Sequence, residues 1–292
     1  MLFSFEIKVT KDSTVKRVLD RYGVSHRLFM RLRDAKMIML DGETVANVPV
    51  HAGQRVSFVL PAAEQDAVVP SAAPLAVVVD NPNWLIVDKP AGLSSVPGPS
   101  SPDDSVLNRA ANYLLATGIT APQPAIITRL DRDTTGLMLI AKHPFAQGRL
   151  DRLGVSKVVT KRYYALAGGQ MPELSGVISA PLAPAADGIR QAVTLEGKKA
   201  RTDYRVLQRG QNCTLLECTL RTGRTHQIRV HMASCGHPLV GDELYGGDTS
   251  VLHEQALVAA KLSFVDPFSG HKLAAELPVP EAMKQLVGEE KV

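Results

Sequence analysis

The stretch from Ala125 to Lys142, A-I-I-T-R-L-D-R-D-T-T-G-L-M-L-I-A-K, constrains the fold more than any other. An apolar run leads into Arg129-Leu130-Asp131, a polar turn follows to Gly136, and a second apolar run, Leu137 to Ala141, leaves it. A short apolar run bounded by turn residues reads as a buried strand. The carboxylate of Asp131 then stands at the edge of a core, between Arg129 and Arg132. As plain structure, Asp131 and Asp133 would be turn residues that bond nearby backbone N–H groups, with the arginines as solvated partners. Other parts of the chain decide between that reading and a functional one.

A chain of 292 residues has room for about two domains. No apolar run approaches the ~20 residues needed to cross a bilayer, so no membrane association is expected. The N-terminus alternates like a strand and carries Glu6 and Lys8 early, without the basic and apolar regions of a secretory signal. Three cysteines, Cys213, Cys218 and Cys235, form no C-x-x-C and fit reduced thiols. The expected location is therefore cytoplasmic. Residues 1–60 hold ten Lys or Arg against six acids, an excess that equals the net charge of +4 for the whole chain. A basic segment on a neutral body suggests a polyanion-binding module attached to an enzyme.

That segment reads as two helices and a hairpin. Ser13 caps a helix to about Tyr22, with Gly23 at its C-terminal turn. Ser25 caps a second helix that buries Leu28, Phe29 and Leu32 and leaves Arg27, Arg31, Arg33 and Lys36 for solvent or phosphate. Met37 to Leu40, Asp41-Gly42 and Thr44-Val45 form the hairpin, and Gln54 to Leu60 a last strand. The phrase G-V-S-H-R-L-F-M-R-L-R-D-A-K-M-I-M-L-D-G-E-T-V resembles the RNA-binding domain of the small-subunit ribosomal protein type. Pro61 to Pro74, rich in Ala and Pro, reads as a mobile, extended linker. The expected boundaries are 1–60, 61–74 and 75–292.

In the second part, strands flank Asp80 to Asn83, a Lys89-Pro90-Ala91-Gly92 turn follows, and helices cover Ser105 to Leu115 and Pro144 to Leu153. Further strands cover Arg162 to Ala167, Gly197 to Arg209 and Thr214 to Arg221. Thr225 caps a helix ending at Gly236, with Ile228, Met232 and Cys235 on its buried side. The fold class is α+β with a mixed, mainly antiparallel sheet. His226, His231, Cys235 and His237 do not form a metal set, because His226 and His231 are five apart and no H-E-x-x-H is present.

R-L-D-R-D-T-T-G-L resembles the H-R-L-D-x-x-T-S-G-L signature of the RluA-type pseudouridine synthases, with Thr128 in place of His and Thr135 in place of Ser. G-R-T-H-Q-I-R-V-H, Gly223 to His231, matches the family phrase residue for residue and places its active-site arginine at Arg229. Lys161-Arg162-Tyr163 resembles its K-x-Y motif and assigns a catalytic role to Tyr163, an aromatic on which a base can stack. Glu254 to Ala259 stands where the family reads R-Q-x-L-H-A. Leu257 is kept as the residue that packs on the target base, while Glu254 and Val258 replace Arg and His.

The resemblance implies isomerisation of uridine to pseudouridine in RNA. Asp131 is the essential carboxylate, acting on the ribose, on the base or on the 2′ proton, with Arg229 as its partner. Arg129 would fill the gap left by a flipped nucleotide or bind phosphate. Isomerisation changes no oxidation state and takes no group from a donor, so no cofactor and no metal are implied. The expected partner is RNA, large-subunit rRNA first and tRNA second, with no obligate protein partner. Two other readings stay open. Asp131-x-Asp133-x-Thr135 also resembles the D-x-D-x-T loop of Mg-dependent haloacid-dehalogenase-type phosphatases, although Arg129 interrupts the expected apolar strand. The changes at positions 128, 254 and 258 also suit a non-catalytic RNA-binding or ribosome-assembly factor on the same fold.

Overall fold

The computed structural model describes residues 2–61, 68–99 and 101–288. Its body is a ten-stranded mixed sheet. The main path runs Ser175–Ser179, Arg201–Arg209, Cys213–Leu220, Thr160–Gly168, Leu257–Val265, Thr135–Ala141, Trp84–Lys89 and Ala76–Asp80. Lys272–Glu276 pairs with Leu257–Val265, and Ala125–Ile126 with Thr135–Ala141. Neighbours are antiparallel except for Thr135–Ala141 beside Leu257–Val265.

Side chains alternate across this sheet with period two, which gives it two buried faces. Leu85, Val87, Met138, Ile140, Tyr163 and Ala165 face one core, under the helices Val106–Ala116 and Gln227–Ser234. Trp84, Ile86, Leu137 and Leu139 face the other, against the helix Pro144–Leu153. Tyr164 and Leu166 continue that face under Glu281–Val287. The continuous apolar run Leu137–Ala141 is thus a strand covered on both sides.

Residues 4–59 form a unit with its own core. Helices Val15–Tyr22 and His26–Asp34 pack on a four-stranded sheet ordered Ser4–Lys8, Arg55–Val59, Ile38–Leu40, Glu43–Thr44. Asp41 and Gly42 turn the hairpin with φ of 53° and 92°, the pattern of a two-residue type I′ turn. Ser25 caps its helix through the Leu28 N–H, and Gly23 ends the preceding one at φ 104°. Thr14, not Ser13, caps the first helix, which starts at Val15, through the Arg17 N–H, while Ser13 and Thr14 pair with Val50 and Pro49.

This unit is docked onto the body. Phe5 stacks with Phe58 and meets Phe145 and Phe268 of the body edge-on or stacked, at 5.0 and 5.9 Å between centroids. Arg149 lies over the Tyr22 and Phe268 rings, and Arg152 reaches the carbonyls of Asp20 and Val24 near the helix end. Of the segment expected to be a mobile linker, residues 62–67 lie outside the described residues. The rest is tied down: Asn108 donates to the Val69 carbonyl, Ser71 bonds Asp104 and the Asn108 carbonyl, and Arg109 donates to the Pro74 carbonyl.

Candidate active site

Asp131 sits in the loop between Ala125–Ile126 and Thr135–Ala141, and side chains from three other segments fix that loop. The Ser95 hydroxyl donates to the Leu130 carbonyl at 2.7 Å and accepts from the Leu130 N–H at 3.0 Å. Lys89, fully buried, donates to the carbonyls of Pro90, Leu93 and Arg132 at 2.8, 2.9 and 2.6 Å. Burial pulls the Lys89 pKa down to about 8, against the charges of Asp133, Asp131 and Glu254. Gln255 donates to the Thr134 hydroxyl at 3.1 Å. Thr128 is buried and accepts from the Leu139 N–H at 2.8 Å, so its hydroxyl serves the strand.

Arg229, on the helix Gln227–Ser234, holds Asp131 with Nη1 3.4 Å from Oδ2. Its other nitrogens grip Asp242 bidentately at 2.7 and 2.8 Å. The Asp242 side chain is fully buried. Burial opposes the Arg229 charge, but Asp242 and Asp131 outweigh it and raise its pKa. A paired guanidinium in this setting is rigid, and rigidity is what positioning a carboxylate requires. His226 brings Nε2 within 4.0 Å of the same Asp131 oxygen.

These groups open into a cleft of about 770 Å³. Arg129, Arg132, Lys161, Arg221, Arg224 and Arg229 line it, and among the described lining residues Asp131 is the one carboxylate. Tyr163 lies on Thr160–Gly168 and Leu257 starts the neighbouring strand, and both line the cleft with Asp131. Burial, then the Asp131 charge, raises the Tyr163 pKa, so the phenol stays neutral. A cationic groove with an aromatic face and one fixed carboxylate can hold a polyanion, stack a base and direct one reactive oxygen at it.

Asp131, Tyr163, Arg229, Leu257 and Arg129 therefore come together, from segments up to 128 residues apart. Arg27, Arg33 and Lys36 sit on the N-terminal unit instead; Arg27 and Lys36 are exposed, and Arg33 pairs with Asp34 at 2.7 Å. Arg31 differs from expectation: it lines a crevice with Phe3, Leu60, His143 and Pro144, between unit and body. The helix expected to be capped by Thr225 starts at Gln227 after His226 at φ 54°, with no side-chain cap. His231 bonds Thr202 and the Ala180 carbonyl, and His237 the Gly168 carbonyl.

Val258 points to the far core and Glu254 lines a second cavity of about 290 Å³ that also reaches Asp131 and Arg229. Sequence reasoning missed Ser95, Gln255, Asp242 and Tyr245. A signal existed for Asp242: an arginine on a buried helix face needs a counter-charge, and G-D-E-L-Y-G supplies it nearby.

The family model described as RNA pseudouridylate synthase matches residues 83–234, half of the chain and the part that carries Asp131, Tyr163 and Arg229. "Uncharacterized RNA pseudouridine synthase YjbO" of Bacillus subtilis is 34% identical over 94% of this chain and 98% of its own length. "Ribosomal large subunit pseudouridine synthase D" of Nitrosomonas europaea is 42% identical over 74% of this chain and 65% of its own. The solved structure of human RNA Pseudouridylate Synthase Domain Containing 1 shares the fold, with a TM-score of 0.59 at 24% identity over 71% of this chain and 84% of that one. The chain belongs to the RNA pseudouridylate synthase family. Its relatives and its Arg129–Leu137 and Gly223–His231 phrases place it in the RluA branch, whose reaction converts uridine in RNA to pseudouridine.

Proposed function

We propose that this chain isomerises uridine to pseudouridine in large-subunit ribosomal RNA, with Asp131 as the essential carboxylate. The observation that carries the reading is Asp131 held by a doubly paired Arg229 inside a cation-lined cleft beside Tyr163 and Leu257. In the reaction the N1–C1′ bond breaks, the uracil turns, and C5 bonds to C1′. N1 gains a proton and C5 loses one, so the product is an isomer. Asp131 acts at the sugar or base, Tyr163 and Leu257 hold the extruded uracil, and Arg129 occupies the vacated stack or a phosphate. Stacking on one aromatic is worth roughly 1–3 kcal/mol, comparable with the few kcal/mol that flipping costs.

The N-terminal unit would add RNA contact through Arg27, Arg33 and Lys36. Ribosomal RNA is favoured because several relatives are named for the large subunit; tRNA is the second choice. Among the described residues no helix is long and apolar enough to cross a membrane; ribosomal RNA as the substrate favours a cytoplasmic place of action.

The test uses rRNA and tRNA transcripts tritiated at C5 of uridine. Wild type should release tritium from rRNA, and Asp131→Asn should reduce release at least about 1,000-fold while still binding. Binding without release by wild type would leave the non-catalytic factor as the better reading.

A further inference from the structure

Two rings beside Asp131 have no task in the reaction as described. His226 adopts a φ of 54° directly before the helix Gln227–Ser234, a conformation uncommon outside glycine that Asn, Asp and His hold more often than other residues. Its neighbour enforces it. The Gln227 side chain accepts from the Thr222 hydroxyl at 2.7 Å and the Arg224 N–H at 3.0 Å, and donates to the Arg201 carbonyl at 3.0 Å. The imidazole consequently bridges two partners: Nδ1 lies 2.9 Å from the Tyr245 hydroxyl and Nε2 4.0 Å from Asp131 Oδ2. The Tyr245 ring also lies under the Arg229 guanidinium, at 5.1 Å.

One proton pattern of this bridge sets a donor against Asp131. Tyr245 Oη accepts from the Gln191 N–H at 2.8 Å, on the hairpin made by Leu182–Pro184 and Gln191–Val193. With the Tyr245 hydrogen directed at His226 Nδ1, the imidazole hydrogen stays on Nε2, facing Asp131. The groups that face the ring are Asp131, Arg229, Asp242 and Tyr245; burial first, helped by the Arg229 charge, lowers its pKa against the pull of Asp131 and Asp242, which favours the neutral ring.

We propose that Tyr245 and His226 are positioning residues for the isomerisation: Tyr245, anchored on the hairpin backbone, fixes His226 as its Nε2–H tautomer, and that hydrogen closes on Asp131 Oδ2 when a uridine is bound. The proposal rests on the synthase reading above. The bond needs a shift of about 1 Å to reach hydrogen-bond range, and such bonds are commonly long before substrate arrives. Arg229 approaches the same oxygen, so both restraints act on Oδ2 and Oδ1 is the oxygen presented to the nucleotide. A neutral second donor fixes the carboxylate without placing another full charge against it.

The test compares His226→Gln, His226→Asn and Tyr245→Phe by tritium release at saturating and limiting RNA. A Gln amide nitrogen falls near Nε2 and an Asn amide nitrogen near Nδ1. Asn suits the left-handed backbone better than Gln, so a purely structural role ranks Asn above Gln. The proposal ranks them the other way: Gln within about ten-fold of wild-type kcat, Asn lower by about 100-fold, KM unchanged in both. Tyr245→Phe should lower kcat about ten-fold or more with KM unchanged.

Equal kcat for Asn and Gln, or a change confined to KM, would overturn the proposal and leave the synthase reading intact. Silence from wild type would overturn both. Long-range proton–nitrogen NMR of histidine-labelled wild type reads the tautomer without any variant: an Nε2–H ring is expected, and an Nδ1–H ring would overturn the assignment.

Discussion

A single buried lysine outside the cleft lining shows what the site demands of its surroundings. Lys89 Nζ makes three bonds to carbonyls, which uses every hydrogen of an ammonium. One acceptor, the Arg132 carbonyl, belongs to the residue after Asp131, so the lysine joins the turn at Pro90 to the Asp131 loop. Lys89→Met keeps the length and volume but leaves the carbonyls without a donor. We expect a loss of about 2–4 kcal/mol, seen as a fall of about 5–15 °C in melting temperature. Tritium release measured well below the new midpoint should fall as well, because the Asp131 loop has lost one of its ties. A variant that melts like wild type would show the carbonyls finding water instead. In the sequence Lys89 is visible only as part of a turn; that its ammonium reaches Arg132, 43 residues on, depends on the pairing of two strands.

At the scale of elements, the Asp131 loop is placed by a glycine. Thr135 and Gly136 pair with Val258 and Ala259 in the parallel ladder, which sets Leu257 beside the Asp131 loop. Gly136 has φ 103°, and a Cβ there would stand 2.4 Å from the Ala259 carbonyl oxygen and 2.8 Å from its nitrogen. Both are backbone atoms of a central strand and cannot turn aside. Gly136→Ala should cost at least about 3 kcal/mol, read as a lower urea midpoint, together with loss of activity. Gly148→Ala is the control: it lies in the helix Pro144–Leu153 with nothing within 4 Å of its new methyl, and should gain about 0.5–1 kcal/mol. Elements with local signals were legible. Ser25, Ser105 and Gly23 mark helix ends because their chemistry acts within a few residues. The strand Ser175–Ser179 and the hairpin Leu182–Pro184 with Gln191–Val193 were not, since runs of three to five residues carry too little periodicity. Thr225 misled for a different reason: the left-handed His226 breaks the chain direction that a side-chain cap needs.

The arrangement of the whole molecule was the least legible, because Phe3, Phe5, Phe58, Phe145 and Phe268 are spread over the sequence and meet only in the fold. His143 sits inside that aromatic junction, with ring centroids 4.4 Å from Phe3 and 5.3 Å from Phe5. Its Nδ1 accepts the Ala146 N–H and caps the helix Pro144–Leu153, while Nε2 lies 3.1 Å from Asn83 Oδ1. Capping requires Nδ1 without a hydrogen, so the folded ring is neutral; burial first, then the Lys142 charge, lowers its pKa to about 3. The folded value lies below the unfolded 6.5, so the unfolded chain takes the proton first. Stability from this group is therefore complete above about pH 6.5 and drains as pH falls towards 3, at roughly 1.4 kcal/mol per pH unit. Between pH 6.5 and 5 the loss is about 2 kcal/mol, and it falls at the junction between the N-terminal unit and the body. His143→Asn separates this effect from other titrating groups, since Asn is a strong N-cap that does not titrate. Wild type should lose more melting temperature than His143→Asn over that range, and small-angle scattering of wild type at pH 5 should show a larger radius as the unit detaches. Equal pH slopes for the two proteins would place the acid sensitivity elsewhere. If the N-terminal unit binds RNA, the same junction sets the fixed direction from which RNA enters the Asp131 cleft, and detachment should slow tritium release from folded rRNA more than from a short single-stranded oligonucleotide.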